Sequence, residues 1–283
     1  FPIWNVAEPS YGSNGAMNII FLSAVVLTGL TTYALLRNQN VKPPLALVGA
    51  ILVQGSALMY ESIKWTMLNL IGWFWIPILL LTWQQIAITT EQNRPIRAAI
   101  WAFLLGLAMW GMILTDLQYP LFAGIILVPY GLWTLAKTKS NRTRAAIIGF
   151  SLGAIGLALM LLWFAGPLHP LLNYDRSVLA TTPAERGPKI SFPDGFIWRL
   201  DRGISLGLLP LSLMILAIFT LVWRRGRNPE TPWLWLGIAI PPLILSAGAS
   251  IELFGQALSM PYVWLHELLG GIFRYPERFG NVF

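Results

Sequence analysis

Residues 98–136 read AAIWAFLLGLAMWGMILTDLQYPLFAGIILVPYGLWTLA, and this stretch decides the fold class. Two apolar runs, residues 98–114 and 121–136, flank a six-residue turn whose one charged side chain is Asp116. Each run is close to the length at which a helix crosses a hydrocarbon core about 30 Å thick. Because neither run has a polar face to turn toward water, the stretch predicts two transmembrane helices joined at one membrane surface.

Working outward from this hairpin, the same apolar composition recurs along the chain. The further runs are Met17–Leu36, Pro44–Met59, Leu68–Ile86, Ala145–Phe164, Ile204–Trp223 and Trp233–Ala247. Together the runs predict an all-α, polytopic transmembrane helix bundle of about eight spans, forming a single transmembrane domain over residues 1–283. Pro44–Met59 and Trp233–Ala247 are short for a span, so a re-entrant segment is the alternative for either one.

The overall composition excludes several classes of protein. Of the 283 residues, 56% are hydrophobic and 11% are charged, whereas a soluble domain carries about 25% charged residues. Soluble enzymes and disordered chains are therefore excluded. The chain has no cysteine, which excludes disulfide scaffolds and thiolate chemistry. Its two histidines lie far apart in sequence, so there is no local histidine motif for a metal. The cofactor is left open: a divalent metal is an alternative that the sequence does not itself indicate.

The placement of charge predicts the orientation of the spans. The loops after the first, third, fifth and seventh runs hold 11 Lys and Arg against the acids Glu91 and Glu230; these loops read RNQNVK, TTEQNRPIR, KTKSNRTR and RRGRNPETP. Basic residues concentrate in cytoplasmic loops, so these four are predicted to lie inside. The formal charge of +7 is then a signal of topology and not of nucleic-acid binding. The chain is predicted to be a multi-pass protein of the cell membrane, with residues 165–203 and 248–283 extracytoplasmic.

Two acids near the predicted outer surface are candidate catalytic residues. Asp116 lies at the junction of two spans, and Glu61 lies in the short segment MYESIKW. A carboxylate that faces a cavity can act as a general base on an acceptor hydroxyl. The alternative for Asp116 is a cap on the next helix. For Glu61 it is an ion pair with Lys64, three residues further on.

Candidate substrate-binding residues also lie on the predicted outer side. Arg202 and Arg278 have planar guanidinium groups that suit a lipid phosphate. Gln118 and Tyr119 are expected to line the same cavity as Asp116, and His266 is a further candidate. The alternative for the arginines is contact with ordinary headgroups or pairing with neighbouring acids.

Tandem aromatic residues precede the third span, in the segment IGWFWIPILLLTW. Such a cluster forms either a belt that faces lipid or a groove for an isoprenoid chain. Tryptophan is enriched at membrane–water interfaces, which favours the belt.

The order of these motifs resembles that of the GT-C superfamily, the polytopic glycosyltransferases that use lipid-linked sugars, and especially its bacterial mannosyltransferase-like members. The resemblance covers most of the chain. The segments that carry it are NVAEPSYGSNGAMNIIFLSAVVLTGLTTYALL (5–36), ALMYESIKWTMLNLIGWFWIPILLL (57–81), TDLQYPLFAGIIL (115–127) and MPYVWLHELLGGIFRYPERF (260–279).

The resemblance implies a membrane enzyme that moves a sugar from a polyprenyl-phosphate donor to an acceptor on the outer face of the bacterial cytoplasmic membrane. The family's usual catalytic acid lies in the first outer loop, where this chain contains only Glu8. We therefore expect an internal fragment whose principal base lies upstream. Membrane lipids and the sugar donor are the implied partners. The alternatives are a transporter, a lipid flippase or an assembly protein. The eight runs contain no Asp, Glu, Lys or Arg, which argues against ion-coupled transport.

Overall fold

The computed structural model describes residues 2–55, 68–166, 190–191, 230–246, 250–253, 256–259 and 261–268. The chain divides into two compact units. The first comprises Phe1–Ala123 and Gly131–Leu172, and the second comprises Gly124–Tyr130 and Asn173–Phe283.

The first unit is helical wherever it is described. Its helices are α1 (Pro2–Asn38), α2 (Pro43–Gln54), a 3-10 helix (Leu68–Phe74), α3 (Trp75–Glu91), α4 (Pro95–Thr115), α5 (Tyr119–Lys137, which contributes residues to both units) and α6 (Asn141–Ala165). Proline occupies both of the first two positions of α2 and one of the first two positions of α4 and α5, where its missing N–H is not needed. The α1–α2 and α3–α4 turns contain Asn40 and Asn93 at positive φ, a conformation that asparagine tolerates at a helix end.

Five helices in the described part of the chain are long and apolar enough to cross a membrane. They are Ala7–Asn38, Ile71–Glu91, Pro95–Thr115, Tyr119–Lys137 and Asn141–Ala165. The predicted class, a multi-pass helical membrane protein, is confirmed to this extent. Helix α2 has 12 residues, or about 18 Å, and the run Ile204–Trp223 lies outside the described residues. The count of eight spans therefore stays a prediction.

The helices of the first unit alternate in direction. The amide of Asn38, at the end of α1, bonds to Gln84 and Gln85 in the last turns of α3. The hydroxyl of Thr138, just after α5, lies 3.5 Å from a carboxylate oxygen of Glu91 at the end of α3. The turns 37–42, 91–97 and 137–144 therefore lie at one end of the unit, which we call the basic end. All eight Lys and Arg of the described part of this unit lie in these turns: Arg37, Lys42, Arg94, Arg97, Lys137, Lys139, Arg142 and Arg144.

The opposite end of the first unit is rich in aromatic side chains. It comprises residues 68–75, the α4–α5 turn over residues 115–119, and the first turn of α5, and we call it the aromatic end. Its inner layer joins α1 to the 3-10 helix through a buried cluster of Ile20, Phe21, Ala24 and Ile71, with Met17 and Phe74 packed against it. The described residues at this end include Asp116 and no Lys or Arg.

The second unit contains short strands as well as helices. Its described elements are β1 (Ile190–Ser191), α7 (Glu230–Ser246), β2 (Ser250–Leu253), β3 (Gln256–Ser259) and α8 (Pro261–Leu268). Strand β2 pairs in parallel with β1 and antiparallel with β3, with Ser250 opposite Ser259. Tyr130 stacks on Trp235 of α7 with ring centroids 5.3 Å apart. The sequence predicts an all-α chain, and this small three-stranded sheet is a feature that the sequence did not predict.

Candidate functional site

The turn between α4 and α5 is held by Asp116. Its backbone is extended (φ −161°, ψ 138°), and its Oδ1 accepts a hydrogen bond of 2.8 Å from the backbone N–H of Gln118. Its carbonyl oxygen accepts a second bond, of 3.2 Å, from the N–H of Tyr119. Aspartate commonly forms such local turns. Asp116 thus closes the turn that leads into α5, whose N-cap residue is Gln118. The role of Asp116 as a general base stays a prediction.

Gln118 and Tyr119 follow directly and begin α5. The carbonyl oxygen of Gln118 accepts bonds from the N–H groups of Leu121 (3.1 Å) and Phe122 (3.3 Å). The side chain of Tyr119 is 1% exposed, and its ring meets the edges of Trp73 (5.4 Å) and Phe122 (6.1 Å) between centroids. Tyr119 therefore packs in the interior of the aromatic end, while Gln118 is half-buried at its surface.

One of the tandem aromatic residues, Trp73, does not lie in the lipid-facing belt that the sequence favours. Trp73 is 7% exposed and stacks on Phe122, with centroids 5.8 Å apart and planes at 18°. The expectation of a belt is therefore wrong for Trp73. The physical reason is that the 3-10 helix turns this indole toward the start of α5. Apolar contact with the rings there buries the indole inside the protein.

Trp75 connects the same segment to the end of α4. Its indole N–H donates to the hydroxyl oxygen of Thr115 at 3.0 Å, and that hydroxyl donates to the carbonyl of Gly111 at 2.9 Å. A Cβ placed at Gly111 would lie 2.6 Å from the Trp75 ring, so only glycine admits the indole here. These contacts hold the Asp116 turn against α3.

The remaining candidates lie elsewhere. Glu61, Arg202 and Arg278 are outside the described residues. His266 lies in the second unit, on the buried face of α8, with its ring 5.8 Å from that of Tyr262. Of the predicted site residues, the structure therefore brings together Asp116, Gln118 and Tyr119, which are sequence neighbours.

Glu8, the one acid of this chain in the predicted first outer loop, lies on a helix. Helix α1 already runs through residues 2–16, with a kink at Gly12 (φ 70°, ψ 171°). The exposed carboxylate of Glu8 accepts a bond of 3.0 Å from the hydroxyl of Ser13, just past that kink. Among the described residues, no three His, Asp or Glu side chains are grouped so as to hold a metal ion.

Sequence reasoning missed a group of amides that link the helices of the first unit. Asn38 donates to the side-chain oxygen of Gln84 at 2.5 Å and accepts from the amide of Gln85 at 2.6 Å. Gln84 is 6% exposed. The signal was present, because the pair of glutamines interrupts the apolar run IPILLLTWQQI. Side-chain amides join membrane helices because hydrocarbon offers them no other partner.

Within the described spans, charged side chains lie only near the helix ends, and the interior polar groups are amides, hydroxyls and indole N–H groups. The carboxylate of Asp116 at the aromatic end is thus the one predicted catalytic group that the structure describes. Comparisons with protein-family models, curated proteins and solved structures find no match to this chain. The resemblance to the GT-C superfamily therefore remains a prediction.

Proposed function

We propose that this chain is part of a membrane glycosyltransferase that moves a sugar from a polyprenyl-phosphate donor to an acceptor at the aromatic end of the first unit. The observation that supports this most is the position of Asp116. Its carboxylate is fixed at the junction of two apolar helices, at the aromatic end of the first unit. We place the reacting phosphate of the lipid-linked substrate at this end.

The proposed step needs one base, and we assign that role to Asp116 in place of the upstream acid that the family resemblance implies. The bond between sugar C1 and the phosphate oxygen of the donor breaks, and a bond forms between C1 and the acceptor oxygen. The acceptor's proton passes to the carboxylate of Asp116, and polyprenyl phosphate leaves. The bond that Oδ1 accepts from the backbone N–H of Gln118 holds this carboxylate in place just before α5.

The spans support chemistry at a surface over ion-coupled transport. Transporters that move ions or protons keep charged side chains inside their spans. The described spans instead carry hydroxyls that bond to their own helix, such as Thr28 to the carbonyl of Ala24 and Thr82 to that of Ile78. Such bonds satisfy polar groups locally, and the five described spans contain no charged path across the membrane.

The sidedness of the proposed site follows from the basic end. Lys and Arg concentrate on the cytoplasmic side of membrane proteins, so the basic end is assigned to the cytoplasm and the aromatic end to the extracytoplasmic face. In a bacterial cell this is the outer face of the cytoplasmic membrane, where the acceptor would be met.

Replacing Asp116 by Asn tests the proposal. Asparagine forms the same turn and caps helices as well as aspartate does, but it cannot take up a proton. The full-length protein is reconstituted in proteoliposomes with a radiolabelled polyprenyl-phosphate hexose, and release of the sugar from the lipid is measured. We expect Asp116→Asn to lower the rate about 10²–10⁴-fold, the usual contribution of a general base.

The matched control is Glu91→Gln, which removes a carboxylate from the basic end and should leave the rate unchanged. Wild-type turnover in Asp116→Asn would contradict the role of Asp116. If the wild-type protein moves the lipid between leaflets but never cleaves the sugar–phosphate bond, it is a flippase and the proposal is wrong.

A further inference from the structure

Helix α8 has two distinct faces. Tyr262 and His266, four residues apart, are buried in the second unit with their rings 5.8 Å apart. On the opposite face Trp264 is 73% exposed and Leu268 is 81% exposed. These two are also four residues apart, so they lie together on one side of the helix. The helix thus presents a large aromatic and a large aliphatic side chain outward.

The surroundings of α8 indicate what covers this face. The helix packs against α7, an apolar helix of 17 residues whose own outward side chains include Trp233 and Ile240. The exposed face of α8 is therefore part of a unit that already presents apolar surface. Tryptophan is enriched where hydrocarbon meets water, because its ring is apolar while its N–H remains polar.

We propose that α8 is an interfacial helix, which lies along the membrane surface with Trp264 and Leu268 inserted at the boundary between headgroups and hydrocarbon. Its eight residues cover about 12 Å, too little to cross the membrane. Glu267 is exposed beside the apolar pair and supplies the polar flank that such helices turn toward water. This inference does not depend on glycosyl transfer.

The arrangement would place the β2–β3 hairpin at the level of the lipid headgroups. Strand β3 ends at Ser259 and α8 begins at Pro261, so one residue separates the hairpin from the inserted helix. The second unit would then hold a small sheet beside the phosphates of the bilayer.

The absence of native cysteine permits a direct test. Single cysteines are introduced as Trp264→Cys, Leu268→Cys and Glu267→Cys in the full-length protein. Each is labelled with an environment-sensitive fluorophore in vesicles of phosphatidylcholine and phosphatidylglycerol. Quenching by lipids that carry a nitroxide near the headgroup is compared with quenching by aqueous iodide. We expect the ratio of lipid to iodide quenching to be severalfold higher at positions 264 and 268 than at position 267.

Gel filtration in detergent shows whether each labelled variant folds, and all three positions are exposed. Equal ratios at the three positions would overturn the proposal, as would stronger quenching by iodide at 264 and 268. Protection of 264 and 268 from both quenchers would also contradict it, because the face would then be covered by protein.

Discussion

The side-chain amide of Gln54 donates a hydrogen bond of 3.0 Å to the backbone carbonyl oxygen of Val25 and so joins α2 to α1. Val25 lies 13 residues before the end of α1, about 20 Å along the helix from the basic end. The bond requires a glycine on α1, because a Cβ at Gly29 would collide with the Gln54 amide. An interhelical contact deep in the apolar region thus depends on two residues of different helices.

Gly29→Ala should displace the Gln54 amide and break its bond to Val25, at a cost of about 0.5–1.5 kcal/mol, the usual net value of a hydrogen bond. The cost should largely disappear in a Gln54→Ala background, because the colliding amide is then gone. The free energy of unfolding is measured by SDS titration from detergent micelles. Gly149→Ala is the matched control, since open space surrounds that position on α6 and alanine favours a helix. Equal costs at the two glycines would refute the contact.

Asp116→Ala should lower the free energy of unfolding by about 1 kcal/mol, the usual net value of a hydrogen bond. Asp116→Asn should leave it nearly unchanged, because the amide oxygen can accept the bond from the N–H of Gln118. Thermal melting of both variants in one detergent provides the measurement. If Asn destabilises the protein as much as Ala does, the turn depends on the charge and not on the hydrogen bond.

Asn38→Leu should destabilise the first unit by about 1–3 kcal/mol, because the hydrogen bonds that join Asn38 to Gln84 and Gln85 are lost. Gln92→Leu is the matched control, since Gln92 is exposed at the end of α3. The variants are compared by SDS titration. Similar stability of the two would show that the amides of the α1–α3 contact contribute nothing.

The assignment of sides predicts opposite labelling of two exposed turns. Lys139 lies at the basic end, and Leu117 lies in the α4–α5 turn. In intact cells, a cysteine in place of Lys139 should be protected from a membrane-impermeant thiol reagent, and one in place of Leu117 should react. Permeabilised cells, in which both should react, are the control. Reaction at 139 in intact cells would reverse the orientation.

Much of the first unit could be predicted from apolar runs alone. The run 121–136 became α5 over Tyr119–Lys137, and 98–114 became α4 over Pro95–Thr115. Each helix extends beyond its run because prolines and polar residues at the membrane surface still take helical geometry. Run length identifies a span well, because the hydrocarbon thickness sets it.

The contacts between helices could not be predicted in the same way. Composition does not record which side of a helix faces its neighbour, so Trp73 resembled a belt residue and proved to be packed against Phe122. The sequence left two roles open for Asp116. The turn bond from the N–H of Gln118 to its carboxylate depends on the local backbone conformation, which a hydropathy pattern does not predict. Strands β2 and β3, of four residues each, are too short to give a periodic signal.

The bonds from Asn38 to Gln84 and Gln85 also bear on biosynthesis. These partners are 46 and 47 residues apart in the chain, so a ribosome that adds about 5–20 residues per second makes them roughly 2–9 s apart. During that interval α1 has been made and α3 has not, so the side-chain amide of Asn38 does not yet have Gln84 and Gln85 to bond to. An insertion chaperone that holds α1 until α3 arrives would therefore favour correct assembly, and Asn38→Leu should reduce the need for it even as it weakens the finished protein.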